Sequence, residues 1–163
     1  MIRRGNNLLQ VCKQMSVLSG AKEDDGIEEK VDAMRRVMGV MQHHDAVTGT
    51  AKQAVTFDYQ ERLAEGFSRC ESVVDAAYKN MIAAKERTTA DSNADANVVV
   101  PKQEFCRLLN LTQCHVSESS PKFVVTAYNP LVRPVDRHIR IPIVSGGYDV
   151  FAPDGAKLVA QVI

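Results

Sequence analysis

The longest regularity in this chain is helical. Between Val55 and Met81, apolar or small residues recur at Val55, Tyr59, Leu63, Gly66, Phe67, Cys70, Val74, Ala77, Tyr78 and Met81, in steps chiefly of three and four. That period aligns side chains on one face of an α-helix and predicts a single helix of about eight turns. A helix of this length with one apolar stripe needs other helices to cover it. The preceding residues supply two. Leu8, Cys12 and Met15 form one stripe, and Ile27, Val31, Met34, Met38 and Met41 form another at alternating steps of four and three. Helical spacing makes the methionines bundle core rather than a soft-metal site. The polar, glycine-flanked run Ser19-Gly20-Ala21-Lys22-Glu23-Asp24-Asp25-Gly26 connects the two helices and sets acids near the second N-terminus.

The period changes in the second half. Glu86 to Asn97 has almost no apolar content and no repeat, as a linker or long surface loop would. Beyond it, Phe123-Val124-Val125-Thr126-Ala127-Tyr128 is rich in β-formers and stops at Asn129-Pro130, while Ile139, Ile141 and Ile143 alternate with His138, Arg140 and Pro142. Tyr148 to Phe151 and Lys157 to Ile163 flank a Pro153-Asp154-Gly155 turn. A few strands cannot bury their own faces, so this region is expected to open a larger β domain. The fold class expected is α+β, a three-helix bundle followed by the opening strands of an incomplete antiparallel β-sandwich. The expected boundaries are a helical domain at 1–88 with a truncated first helix, a linker at 89–104, and the β region at 105–163.

Composition excludes several classes of function. Basic and acidic residues number 20 each, so no net field recruits nucleic acid or an anionic membrane. No apolar run approaches the ~20 residues of a membrane span. The first residues, Met1-Ile2-Arg3-Arg4-Gly5-Asn6-Asn7, lack the apolar core of a signal peptide, leaving a cytosolic chain or one whose true N-terminus lies elsewhere. The cysteines favour the latter. Cys12, Cys70, Cys106 and Cys114 contain no Cys-x-x-Cys pair, and an even count without metal spacing suits two disulfides. Cys12 and Cys70 both fall on inward stripes, so a bridge between the first and third helices is geometrically reasonable. Asn110-Leu111-Thr112 is an N-glycosylation acceptor pattern inside the short Cys106 to Cys114 loop. Together these features point to the secretory pathway or the lysosome.

The chemistry concentrates in Gln42-His43-His44-Asp45-Ala46-Val47-Thr48-Gly49-Thr50. Imidazole nitrogen is a favoured zinc ligand, and an adjacent carboxylate either joins the coordination shell or accepts hydrogen bonds from a polar substrate. Adjacent histidines lack the spacing of His-Glu-x-x-His, so at most one of His43 and His44 is expected to face a given ion. The residues alone leave open metal or sugar chemistry and a structural role in which one imidazole is buried and the other solvated.

The octet His43 to Thr50, with Met38-Gly39-Val40-Met41-Gln42 before it and Asp58-Tyr59 and Arg62-Leu63-Ala64-Glu65-Gly66 after it, closely resembles glycoside hydrolase family 38, the zinc-dependent α-mannosidases. Phe105-Cys106, Leu108 to Asn110, Cys114 and Tyr128-Asn129-Pro130-Leu131 are similar to the start of the β region in the lysosomal branch of that family. Ala54 and Phe67 depart from the pattern, standing where many relatives carry histidine and tryptophan, and they bear on fine specificity. The resemblance implies a three-helix middle domain followed by β-sandwich domains. It also implies that Cys12 pairs with Cys70 and Cys106 with Cys114.

For the site, the resemblance implies that His44 is a zinc ligand, that Asp45 contacts bound mannose, and that His43 supports them. The nucleophilic aspartate and the remaining ligands would come from an N-terminal α/β domain, a missing catalytic neighbour or companion chain. The expected substrate is a mannose-containing oligosaccharide, and the isolated chain is expected to hold Zn²⁺ weakly or not at all and to be inactive. The alternative is a non-catalytic helical interaction module or a degenerate paralogue derived from the family.

Overall fold

A computed structural model describes residues 1–20, 26–89, 100–144 and 146–162, with residues 85–89 and 110 described in their backbone only. Most of the expected linker, the acids of the first connection and the side chain of Asn110 therefore lie outside the described residues. The chain divides into two compact units, Met1–Gln103 and Glu104–Ile163.

The first unit is built from α1 (Ile2–Leu18), α2 (Ile27–Val40), the single-turn α3 (His44–Thr48) and α4 (Gln53–Thr89). Helices α1, α2 and α4 all pack on one another. Their shared core contains Leu9 and Cys12 of α1, Ile27, Val31, Met34 and Met38 of α2, Met41 at its end, and Leu63, Cys70 and Val73 of α4. The stripe at α4 is buried only in its middle: Val55 and Met81 are exposed, because α4 is 37 residues long and α2 only 14. Helix length, set by local sequence, exceeds the cover available at both ends. Glu28 and Glu29 occupy the first turn of α2, where carboxylates complement the helix dipole.

Two glycines let the methionines of α2 approach neighbouring backbones. A Cβ on Gly66 would stand 2.6 Å from the Met34 sulfur, and one on Gly5 would stand 2.8 Å from that of Met38. Both approaches are closer than packed atoms tolerate, so each methionine occupies the volume that a larger residue on the facing helix would fill. Phe67 packs against the core and lies beneath the Arg4 guanidinium, 5.9 Å from the ring centroid. Cys12 and Cys70 are fully buried and disulfide-bonded, their Cα atoms 5.6 Å apart.

The second unit is held by fewer contacts. Cys106 and Cys114 are bridged across eight residues, around a 3-10 turn at Leu109–Leu111. Cys114 then leads into the short helix α5 (His115–Ser119). The buried Ser117 hydroxyl lies 2.6 Å from the Pro142 carbonyl, to which it donates. The Tyr148 hydroxyl lies 3.1 Å from the carbonyls of both Ser117 and Ser120, and the Tyr148 ring meets Phe123 edge-on. Strands β1 (Val150–Phe151) and β2 (Lys157–Leu158) form an antiparallel hairpin, with Val150 opposite Leu158 and Phe151 opposite Lys157. The expected turn closes it, with Gly155 at φ 86° and Asp154 accepting the Ala156 N–H.

Helical bundle followed by antiparallel strands is the α+β order expected. The strand content is smaller than the residue pattern suggested. The stretches at 123–128 and 139–143 form no ladder among the described residues, and the last strand stops at Leu158. A β-prone sequence becomes a strand only where a neighbour supplies hydrogen-bonding groups at the right register, and among the described residues these segments pair with no neighbouring strand.

Candidate functional site

The His-His-Asp run sits where the chain leaves the bundle. Met41 is fully buried at the end of α2 and fixes the exit, after which His43 adopts extended backbone (φ −53°, ψ 137°) as the N-cap of α3. Asp45 lies in the first turn of α3, where the helix dipole favours a carboxylate. Gly49, at φ 77° and ψ 21°, ends the helix in the left-handed region that glycine tolerates best. The chain then doubles back, the Ala51 N–H reaching the Asp45 carbonyl at 3.3 Å.

This path overturns the premise of one expectation, that adjacent histidines turn their imidazoles apart. Both imidazoles approach Asp45: its Oδ2 lies 3.5 Å from His43 Nε2 and 3.8 Å from His44 Nε2. The ring centroids of His43 and His44 are 4.3 Å apart. The spacing argument assumed regular helix through both histidines, whereas His43 is extended and His44 helical, so successive side chains are not splayed by a full helical step. The structural alternative with one buried imidazole also fails, because the side chains of His43 and His44 are 46% and 83% exposed.

The other Asp45 oxygen is engaged locally. Thr50 donates its hydroxyl to Oδ1 at 2.9 Å, and the Thr48 hydroxyl lies 2.9 Å from that of Thr50. Thr48 also donates to the His44 carbonyl. The Thr50 hydrogen bond, with His44 and His43 alongside, holds the Asp45 carboxyl below its ordinary range against the opposing effect of partial desolvation. Asp45 is thereby kept as an ionised acceptor.

One donor atom from each of His43, His44 and Asp45 falls within a group no wider than 4.8 Å. Zinc bonds nitrogen and oxygen donors at about 2.0–2.2 Å, placing two of them roughly 3.4 Å apart at a tetrahedral angle. The donor types and the two shorter separations fit such an ion. The threonines are the site residues that the sequence reading missed. Their signal was present in Thr48-Gly49-Thr50, a glycine suited to left-handed backbone between two hydroxyls.

A helical bundle carrying an exposed imidazole and carboxylate corner offers donor types that a cation or a sugar hydroxyl could use, and the relatives identify the family. Residues 1–81 match the family described as alpha mannosidase middle domain. The lysosomal alpha-mannosidase of Mus musculus is 38% identical over 99% of this chain and 15% of its own length. That of Homo sapiens is 33% identical over the same shares. The alpha-mannosidase of Canavalia ensiformis is 37% identical over 77% of this chain and 13% of its own length. No solved structure matches. The chain belongs to the α-mannosidases of glycoside hydrolase family 38, lysosomal type, and spans about 15% of the length of the curated relatives it matches.

Proposed function

We propose that this chain forms part of a zinc-dependent retaining α-mannosidase that removes terminal α-D-mannose from N-glycan oligosaccharides. The observation that carries the proposal is the convergence of His43, His44 and Asp45 on one exposed corner of a domain matched to the α-mannosidase middle domain. His44 is the zinc ligand: its side chain is the most exposed of the three, open to donors from elsewhere that would complete the site. Asp45 Oδ2 accepts a mannose hydroxyl hydrogen, and His43 supports the pair. Bound zinc would grip neighbouring sugar hydroxyls and favour a distorted, reactive ring.

Retaining hydrolysis needs a nucleophilic carboxylate and a second carboxyl group as acid and base, about 5–5.5 Å apart. Among the described residues Asp45 meets no second carboxylate in its cluster; on the proposed reading both reacting groups come from a catalytic domain outside this sequence, and the isolated chain is inactive. The domain limits proposed are 1–88 for the helical part, 89–104 for the linker and 105–163 for the start of the β-sandwich. The two disulfides and the lysosomal relatives support a lysosomal or secretory location, where Asn110 is the glycosylation acceptor.

The test has two arms. The purified chain should hold no stoichiometric zinc and cleave no aryl α-mannoside; turnover by this chain alone would refute the shared-site reading. In the complete enzyme, His44→Ala should lose metal and activity together, whereas His43→Ala should retain zinc. Full activity in the His44 variant would return the chain to a non-catalytic interaction module.

A further inference from the structure

The two oxygens of Asp45 have different surroundings. Oδ2 faces the imidazoles at 3.5 and 3.8 Å, while Oδ1 accepts the Thr50 hydroxyl at 2.9 Å. Thr50 reaches that oxygen because Gly49 turns the chain back, and the return is closed by the Ala51 N–H on the Asp45 carbonyl. Thr48 stands behind Thr50, within 2.9 Å of its hydroxyl and bonded to the His44 carbonyl.

The protons in this group can be counted. Two hydroxyls carry two protons for three contacts, and an ionised Asp45 has none to give. Thr50 must therefore donate to Asp45, leaving the Thr48 proton to alternate between the His44 carbonyl and the Thr50 oxygen. In the second arrangement the chain Thr48 to Thr50 to Asp45 is polarised in one direction, which strengthens the final bond. In both arrangements Oδ1 is satisfied within the loop.

We infer that Thr50, backed by Thr48, is a positioning residue that ties Asp45 Oδ1 into the loop and presents Oδ2 alone to the ligand side of the site. The inference rests on the proposed role of Asp45 as a substrate contact. A carboxylate fixed at one oxygen has lost its rotamer freedom before the sugar arrives, so a sugar hydroxyl meets an acceptor already oriented. The hydroxyl is the required feature of Thr50: serine preserves the donor, and valine preserves the shape without it.

The experiment compares wild type, Thr50→Val and Thr50→Ser. In the full 163-residue chain, side-chain scalar couplings measured by NMR should show one Asp45 rotamer in wild type and Thr50→Ser and rotamer averaging in Thr50→Val. Identical couplings in all three would overturn the inference. In the zinc-loaded α-mannosidase that carries this segment, Thr50→Val should lower kcat/KM on an aryl α-mannoside by about tenfold, on the scale of one hydrogen bond to a charged group. Zinc content should stay stoichiometric, and Thr50→Ser should recover activity. An unchanged kcat/KM, a loss that serine does not rescue, or loss of zinc with activity would each overturn a positioning role. If the wild-type enzyme has no mannosidase turnover, the proposed function fails, while the rotamer comparison still decides what Thr50 does.

Discussion

The two units solve the burial problem to different degrees. In Met1–Gln103 the apolar stripes of three helices face one another, and Met15, Met34, Met41, Leu63, Val73, Cys12 and Cys70 are fully buried. In Glu104–Ile163 the buried residues among those described are Cys114, Ser117 and Pro142, while Val124, Val132, Val144, Val159 and Val162 stand exposed. The difference follows from hydrogen bonding. A helix satisfies its own backbone and needs neighbours only for its stripe, whereas a strand needs a neighbour for its backbone as well. The helical unit therefore completes its core from local sequence plus three packings. Among the described residues of the second unit, only Val150–Phe151 and Lys157–Leu158 find strand partners.

The disulfides sharpen this contrast most. The bridge from Cys12 to Cys70 closes 58 residues and joins two core helices, while that from Cys106 to Cys114 closes eight. Chain entropy alone gives about 4 kcal/mol for the longer loop and about 2.5 kcal/mol for the shorter. Replacing Cys12 and Cys70 together by alanine should lower the urea midpoint of the helical circular-dichroism signal substantially. Replacing Cys106 and Cys114 should leave that helical transition in place. Equal effects on the helical signal would break the view that the units are stabilised separately.

A smaller contrast lies in side-chain truncation. Met34→Ala removes a fully buried side chain seated against Gly66 and should destabilise the bundle by about 3 kcal/mol, combining lost burial with an unfilled cavity. Val159→Ala, at a fully exposed position, should change stability by less than about 0.5 kcal/mol. Chemical denaturation of both variants tests the difference. A comparable loss at Val159 would mean that the second unit buries its valines in solution.

How much of this was legible depends on the range of the interaction that decides each feature. The methionine stripe of α2 was legible because period alone places Ile27, Val31, Met34, Met38 and Met41 on one face, and all five are buried. Val73 was missed, since it lies beside the α4 stripe and is buried by the particular rotation at which α1 and α2 meet that helix. The Pro153-Asp154-Gly155 turn was legible because a left-handed glycine and an acceptor carboxylate act within three residues. The segments 123–128 and 139–143 were misread because strand formation is decided by residues distant in sequence. At the site, residue types announced the chemistry, but the joint approach of both imidazoles depended on a change of backbone conformation between His43 and His44. Side-chain period carries no information about such a change.

A more local effect concerns the edge of the helical unit. Asp75 of α4 accepts the backbone N–H of Gln103 at 2.7 Å and pairs with Lys79 at 2.8 Å, fastening the last residue of the unit to the helix. Burial pushes the Asp75 carboxyl up, but the Gln103 N–H, the Lys79 ammonium and the Lys102 charge outweigh it, and the net value falls below the ordinary 3.8. A carboxylate with a depressed folded pKa adds stability that is fully present above its unfolded value and is lost as pH falls through the folded one. Asp75→Asn keeps an acceptor oxygen near Gln103 but removes the charge, so it should cost about 1 kcal/mol near neutral pH. The gap between wild type and variant should persist in mildly acidic solution and close only below 3.8, as measured by urea midpoints across that range. A gap that closes well above 3.8 would show that the tie at Asp75 is not held by its charge. In that case the end of the helical unit would depend on contacts other than the Asp75 charge, and the contrast between the two units would weaken at their boundary.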